Sequence, residues 1–212
     1  MEEIRNEVKQ EKRITNKDLM KVWWRWVFFQ EASVSYERLQ APGFFYAISP
    51  VLVKLYGDNP EELTAACKRH MQFYNSEPYC GLAIHGITLA LEEERANGAP
   101  ISDEAINSLK TGLMGPLAGI GDTISWSTLM YLFIGLFLPL AQKGNPLGGI
   151  APIALLTIVC FGIGYFLTSK CYTFGYSFAE NMLKSGLVNM IIAGASILGL
   201  FMMGGLASTY VT

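Results

Sequence analysis

The chain of 212 residues is short of charge where most proteins carry it, and that shortage is one-sided. From residue 111 to 212 the only charged side chains are Asp122, Lys143, Lys170, Glu180 and Lys184. All the remaining charge lies in residues 1–110. The formal net charge is -2 with both signs interspersed, so there is no basic stripe of the kind that neutralises phosphates, and nucleic acid is excluded as a partner. The four cysteines, Cys67, Cys80, Cys160 and Cys171, form no CxxC pair, and His70 and His85 are the only histidines. Neither a disulfide framework nor a zinc site is indicated. A basic-then-apolar leader is missing too, because the first eighteen residues are charged throughout. No cofactor motif is present: Gly119-Ile120-Gly121 has no third spaced glycine and is followed by no GK[ST].

What the chain has instead is apolar residue, at 51% of its length. Three long apolar stretches follow the charge-poor boundary: Trp126 to Ala141, Pro146 to Ser169, and Leu187 to about Val211. They are long enough to span a bilayer, the first provided its helix begins at Thr123. The expected architecture is an all-α integral membrane protein in two regions. Residues 1–110 form a charged region of amphipathic and short re-entrant-type helices; residues 111–212 hold a glycine-rich break and about three transmembrane helices. With the amino-terminal half in the cytoplasm, Lys143 falls outside while Lys170 and Lys184 fall inside, as the positive-inside rule prefers.

Within the first region, Thr15-Asn16-Lys17-Asp18 carries the spacing of a capping box. The helix after it gathers Leu19, Val22, Trp23, Trp26, Val27 and Gln30 on one face, and Trp24 and Phe28 widen the apolar arc. Three tryptophans beside lysines and arginine suit a helix lying in a membrane interface. Asn59-Pro60-Glu61-Glu62 and Ser102-Asp103-Glu104 are further helix starts, the second helix expected to run to Lys110. Glu92-Glu93-Glu94 is expected to be a solvated helix end, and His70 and His85 to be packing histidines.

The candidate functional feature is GLMGPLAGIGD, Gly112 to Asp122, with Gly112, Gly115, Pro116, Gly119 and Gly121 shaping the backbone. Broken backbone at membrane depth is tolerated where it is buried in protein or lines a polar cavity, and such segments bind solutes in transporters. Asp122 is the sole acid between Glu104 and Glu180, and an acid beside a membrane segment is a functional candidate. A helix cap at Thr123 is the other reading of Asp122, and both stay open. Gln72, Asn75, Ser76 and Glu77, with Phe73 and Tyr74 as neighbours, form a polar junction before Pro78 of the kind that grips hydroxyl-rich ligands.

These pieces together resemble the enzyme IID subunit of mannose-family (mannose/fructose/sorbose) phosphotransferase-system sugar permeases. The resemblance rests on SYERLQAPGF (Ser35 to Phe44), LYGD (Leu55 to Asp58), KRHMQFYNSEPY (Lys68 to Tyr79), GITLALEEERANG (Gly86 to Gly98), INSLKTGLMGPLAGIGD (Ile106 to Asp122) and ASILGLFMMGG (Ala195 to Gly205). It implies a non-catalytic transport subunit in a bacterial inner membrane. Such a subunit pairs with IIC, in a trimeric assembly, to carry a hexose inward while cytoplasmic IIA and IIB units relay phosphate. The phosphohistidines of that family belong to IIA and IIB, so neither histidine here is expected to be phosphorylated. Asp122, Asn75 and Glu77 are then the expected sugar or translocation-path residues.

Two departures stand out. Val34-Ser35 and Ser76-Glu77 occupy positions where the family usually shows Trp-Asn and Thr-His. The chain also ends at Thr212, where family members usually continue. A truncated or divergent paralogue, acting as a non-transporting or receptor-like membrane scaffold, is the alternative reading.

Overall fold

A computed structural model describes residues 11–184 and isolated positions between Met190 and Gly204. Among the described residues the chain is helical, with no strand. Helix α1 is Asn16–Phe29, α2 Ala41–Tyr56, α3 Pro60–His70, α4 Leu82–Ala96 and α5 Asp103–Gly121. A π-helical segment, Asp122–Leu129, leads into α6, Met130–Gln142, and α7 is Leu147–Lys184.

The caps foreseen from the sequence form. The Thr15 hydroxyl accepts the Asp18 N–H while Asp18 Oδ2 accepts the Thr15 N–H at 2.8 Å. Asn59 Oδ1 accepts the Glu62 N–H at 3.2 Å, and Ser102 Oγ accepts the Ala105 N–H at 3.1 Å. Each satisfies a helix-end donor that would otherwise be orphaned, typically worth about 1 kcal/mol.

The amino-terminal helices build the core. On α1, Leu19, Val22, Trp23 and Trp26 are buried, so the face read from the sequence packs inside the protein. Trp24 and Phe28 stay exposed, their rings stacked at 5.3 Å. Trp26, Phe44, Tyr74 and His85 form an aromatic nest with ring centroids 4.2–5.9 Å apart. Fully burying such side chains contributes about 1.5–3 kcal/mol each. Helix α4 lies along α7, where a Cβ on Gly86 would meet Tyr172 N at 2.8 Å and Cys171 Cβ at 3.1 Å. That glycine permits the close approach.

Two helical stretches have spanning length and composition, Asp103–Gln142 with 40 residues and Leu147–Gly175 with 29. The shorter measures about 44 Å at 1.5 Å per residue, more than the roughly 30 Å of a bilayer's apolar core. They are joined by the short turn that holds Lys143, and α6 packs on α7. The third expected stretch, Leu187 to Val211, lies outside the described residues.

The glycine block does not break the chain. Helix α5 runs past Lys110 and through Gly112, Gly115 and Pro116, and Asp122 has helical φ/ψ of -60° and -40°. Asp122 is therefore not the cap of a new helix at Thr123. Pro116 lies inside α5 and lacks the N–H that would donate to the Gly112 carbonyl, yet the helix continues through it. What replaces the break is a widening by one residue per turn: the Met130 N–H donates to Ser125 O, five residues back. Hydroxyls of Thr123 and Thr128 donate to Gly119 O and Thr123 O at 2.7 and 2.8 Å, occupying carbonyls in and beside the widened turns.

Glu92 is a second correction. It is fully buried rather than solvated. Its carboxylate accepts Arg69 Nε and Nη2, both at 2.8 Å, and the Tyr56 hydroxyl at 2.6 Å, with His70 Nε2 at 2.7 Å. Arg69 also donates to Asp103 Oδ1 at 2.7 Å, tying α3 and α4 to the start of α5. Burial pushes the Glu92 carboxyl up, but His70 and Arg69 outweigh it and hold it down at about 2. The three consecutive acids do point in different directions, as helical geometry requires. Only the last of them, Glu94, is exposed.

Candidate functional site

The polar junction between α3 and α4 is held from three sides. Gln40 bonds it twice, its N–H donating to Tyr74 O at 2.9 Å and its Oε1 accepting the Ser76 N–H at 3.0 Å. Trp26 Nε1 donates to Pro78 O at 2.7 Å. From α5, the Met114 carbonyl accepts the Ser76 hydroxyl at 3.2 Å, and Met114 Sδ lies 3.2 Å from the Asn75 N–H. A segment with this many fixed backbone groups is pre-organised rather than loose.

Glu77 is the focus of the junction and is only 2% exposed. One carboxylate oxygen, Oε2, accepts the N–H groups of Tyr79 and Cys80 at 3.0 and 2.6 Å, at the turn that starts α4. The other, Oε1, is buried without a hydrogen-bond partner. The carboxylate lies on the backbone of Gly121: a Cβ there would come within 2.6 Å of Glu77 Cβ and Cδ, and closer still to Oε2. This is the physical need for glycine at that position. Burial pushes the Glu77 carboxyl above its usual range; the Cys80 and Tyr79 N–H groups and the adjacent Ser125 hydroxyl pull against it, and Asp122 pushes it further up. Burial likewise lifts the Cys80 thiol to about 12, so it stays protonated and unreactive at neutral pH.

Of the residues singled out in the sequence, Glu77, Gly121 and Asp122 converge across 44 positions of chain. Asp122 is exposed, one residue beyond the contact. Asn75 belongs to the same junction and is also exposed. Gly112 and Gly115 lie on an open face of α5, where an added Cβ would meet nothing within 4 Å. Pro116 and Gly119 are half-buried between these two groups.

Sequence reasoning missed the residues around Ser125. That side chain lies beside Glu77 and also lines a cavity of about 320 Å³ between the π-helical segment, α6 and α7. Tyr79, Trp126, Thr157 and Cys160 form other parts of its wall. The run Thr-Ile-Ser-Trp-Ser-Thr, residues 123–128, was the available signal, being dense in hydroxyls inside an otherwise apolar stretch. The volume is near the lower end of the 300–1,000 Å³ usual for small-molecule sites; Met130, Ile134, Pro152, Ile153 and Leu156 make the wall mainly apolar, with hydroxyls from Ser125, Thr157 and Tyr79. No group of three or more metal-ligating side chains occurs among the described residues.

Fold and site together define an all-helical membrane subunit with a buried polar junction beside a widened helix. Residues 13–212 match the PTS system mannose/fructose/sorbose family IID component, and the chain belongs to that family. It is 41% identical over 200 residues to the mannose-specific EIID component of Escherichia coli K12, covering 94% of this chain and 70% of that protein. The fructose permease IID component of Bacillus subtilis is 36% identical over 205 residues, covering 97% and 74%. Among solved structures, the mannose transporter ManYZ in complex with microcin E492 aligns with a TM-score of 0.74 at 41% identity, over 94% of this chain and 72% of that one. The chain is thus a PTS mannose-family IID component, part of a sugar permease.

Proposed function

We propose that this subunit works with a IIC membrane subunit to carry a hexose into the cell, coupled to phosphorylation of the sugar by cytoplasmic IIA and IIB partners. In this reading Glu77, Asn75 and Asp122 contribute polar contacts on the sugar's path. Gly112, Gly115, Pro116, Gly119 and Gly121 let helices and the carboxylate come close. The observation that carries it is the buried, unpartnered Glu77 oxygen, whose neighbour Ser125 lines the cavity from a helical stretch apolar enough to cross a membrane. Buried polar groups in membrane segments mark solute pathways because an unused one is costly.

The charged end of the molecule supports a cytoplasmic amino terminus. Tyr172, two residues after Lys170 on α7, donates to Glu93 of α4 and to Ile14 O at 3.3 Å. Lys170 and the charged helix ends therefore share one side, and Lys143 lies beyond the α6 end. The open face at Gly112 and Gly115 suits a tightly packed partner helix from IIC, and a trimer of IIC/IID pairs follows the family pattern.

Uptake of labelled hexose by cells carrying Asp122→Asn at unchanged membrane abundance tests the assignment. Transport should fall; unchanged transport would remove Asp122 from the path. Copurification with IIC followed by hexose binding separates transport from the receptor-like alternative, which keeps the association but not the binding.

A further inference from the structure

We infer that the outer face of α1 is a lipid-contact surface: the helix enters the cytoplasmic leaflet beside α7 from its amino terminus, and Lys17 and Lys21 take anionic phospholipid headgroups. This rests on the cytoplasmic amino terminus proposed above. The face concerned is opposite the one packed on the core. Lys17, Lys21, Trp24 and Phe28 form one exposed stripe along the helix, Trp24 being 44% and Phe28 66% exposed. Two sets of contacts fix how α1 lies against the spanning helix. At its start, Ile14 O accepts the Tyr172 hydroxyl at 3.3 Å; further along, the Trp23 ring lies 6.0 Å from Phe161 and 5.7 Å from Tyr165. The helix therefore runs antiparallel to α7, from the charged end of the spanning stretch Leu147–Gly175 toward its middle. Its 14 residues measure about 21 Å, enough to enter the roughly 30 Å apolar core of a bilayer and too few to cross it.

Along that descent the stripe reads Lys, Lys, Trp, Phe, the order of a bilayer from headgroup through interface to acyl chain. Side chains on a helix tilt toward its amino terminus, so both ammonium groups reach back to the headgroup level. Neither lysine forms an ion pair among the described residues, whereas Asp18 of α1 is neutralised by Lys54 of α2 at 2.6 Å. Arg25, on the flank of the stripe, is held over the Tyr46 ring at 3.8 Å. The charge left for a partner on this face is wholly positive, the complement of an anionic lipid surface. In the loop beyond α1, Glu31, Glu37 and Arg38 are exposed and would be costly against acyl chains, so the lipid contact ends at Phe28.

The experiment places a fluorophore at Trp24→Cys or Phe28→Cys, with the half-buried Cys67 changed to serine, in the complex with IIC reconstituted in mixed phosphatidylcholine and phosphatidylglycerol bilayers. Quenching is read from nitroxide lipids of either headgroup, with the nitroxide shallow or deep on the chain, and from aqueous iodide. The label at position 24 is expected to be quenched best by the shallow nitroxide and the label at position 28 by the deep one. Around position 24, phosphatidylglycerol should be enriched about fivefold or more over phosphatidylcholine, the factor that one lysine contributes near an anionic surface. Lys17→Gln/Lys21→Gln should bring the two headgroups within about twofold and leave the depth order unchanged; both side chains are exposed, so the fold does not depend on them. The inference is overturned if iodide quenches both labels more than either lipid does, the mark of a water-filled vestibule, or if nothing quenches them, the mark of cover by IIC. It is overturned equally if both labels report one depth, as for a helix lying flat, or if the headgroup preference is absent or survives loss of the lysines. An impermeant thiol reagent that reaches Lys17→Cys only from the outer side of sealed vesicles would instead contradict the cytoplasmic amino terminus, because the depth order is the same whichever leaflet is entered.

Discussion

Gly121 and Gly115 look interchangeable in the sequence, six residues apart in one motif, yet alanine should have opposite effects at the two positions. At Gly115 a Cβ meets nothing within 4 Å, and the residue is in the interior of α5. Alanine there should leave the isolated chain unharmed or stabilise it by up to about 1 kcal/mol, the helix-propensity difference. At Gly121 the same methyl group falls within 2.6 Å of Glu77 Cβ and Cδ. These atoms are anchored by two backbone N–H donors, so they cannot swing away without losing the 2.6 Å bond from Cys80. Overpacking of this kind costs about 1–3 kcal/mol, which exceeds the propensity gain over most of its range. Thermal unfolding of the purified chain in detergent, followed by helical circular dichroism, reads both. A double-mutant cycle adds the cause: once Glu77→Gly has removed the Cβ together with the carboxylate, Gly121→Ala should cost nothing further. Equal midpoints for the Gly115 and Gly121 variants would refute the argument, as would strictly additive effects in the cycle. With IIC present the ranking gains a second axis, since Gly115→Ala should then weaken the complex by filling the open face.

Removing Arg69 tests the buried ion cluster. Arg69→Ala strands the Glu92 carboxylate with only His70 and Tyr56, and breaking a buried pair in this way costs about 3–5 kcal/mol, visible as a lower unfolding midpoint. His85 gives a pH dependence. Burial holds it at about 3, below its ordinary value of 6.5, so the unfolded chain takes up a proton that the folded one refuses. Its contribution is therefore complete above pH 6.5 and is lost as pH falls from there toward 3. His85→Phe, which keeps a ring against Phe44 and Tyr74, should flatten that part of the stability curve; an unchanged acid limb would assign it elsewhere.

The membrane class and the helix starts at Thr15, Asn59 and Ser102 were legible because each depends on neighbours within a turn or two of chain; the apolar face of α1 was legible too, but it packs on the protein's own core rather than lying in a membrane interface as expected. Composition alone located the apolar stretches. The glycine block was misread as a break because the same residues serve flexibility and close contact, and the partner that decides between them, Glu77, is 44 positions away. Glu92 was misread for the same reason: its burial depends on Arg69, His70 and Tyr56 arriving from α3 and α2. A charged triplet at a helix end carries no mark of that. Ser125 and Trp126 were passed over inside an apolar run, where the π-helical widening that turns Ser125 toward the Glu77 carboxylate leaves no local signature beyond a few hydroxyls.

The central claim is that this chain supplies part of a sugar path at the Glu77 and Asp122 junction. Its most direct test is phosphorylation-coupled uptake of a labelled hexose into membrane vesicles containing IIC, with IIA and IIB supplied. Uptake is measured without this chain, with it, and with its Glu77→Gln/Asp122→Asn form at equal abundance. The account predicts uptake only when the unaltered chain is present, and a severe loss in the double variant. Uptake that proceeds without the chain, or is undiminished in the double variant, would contradict it.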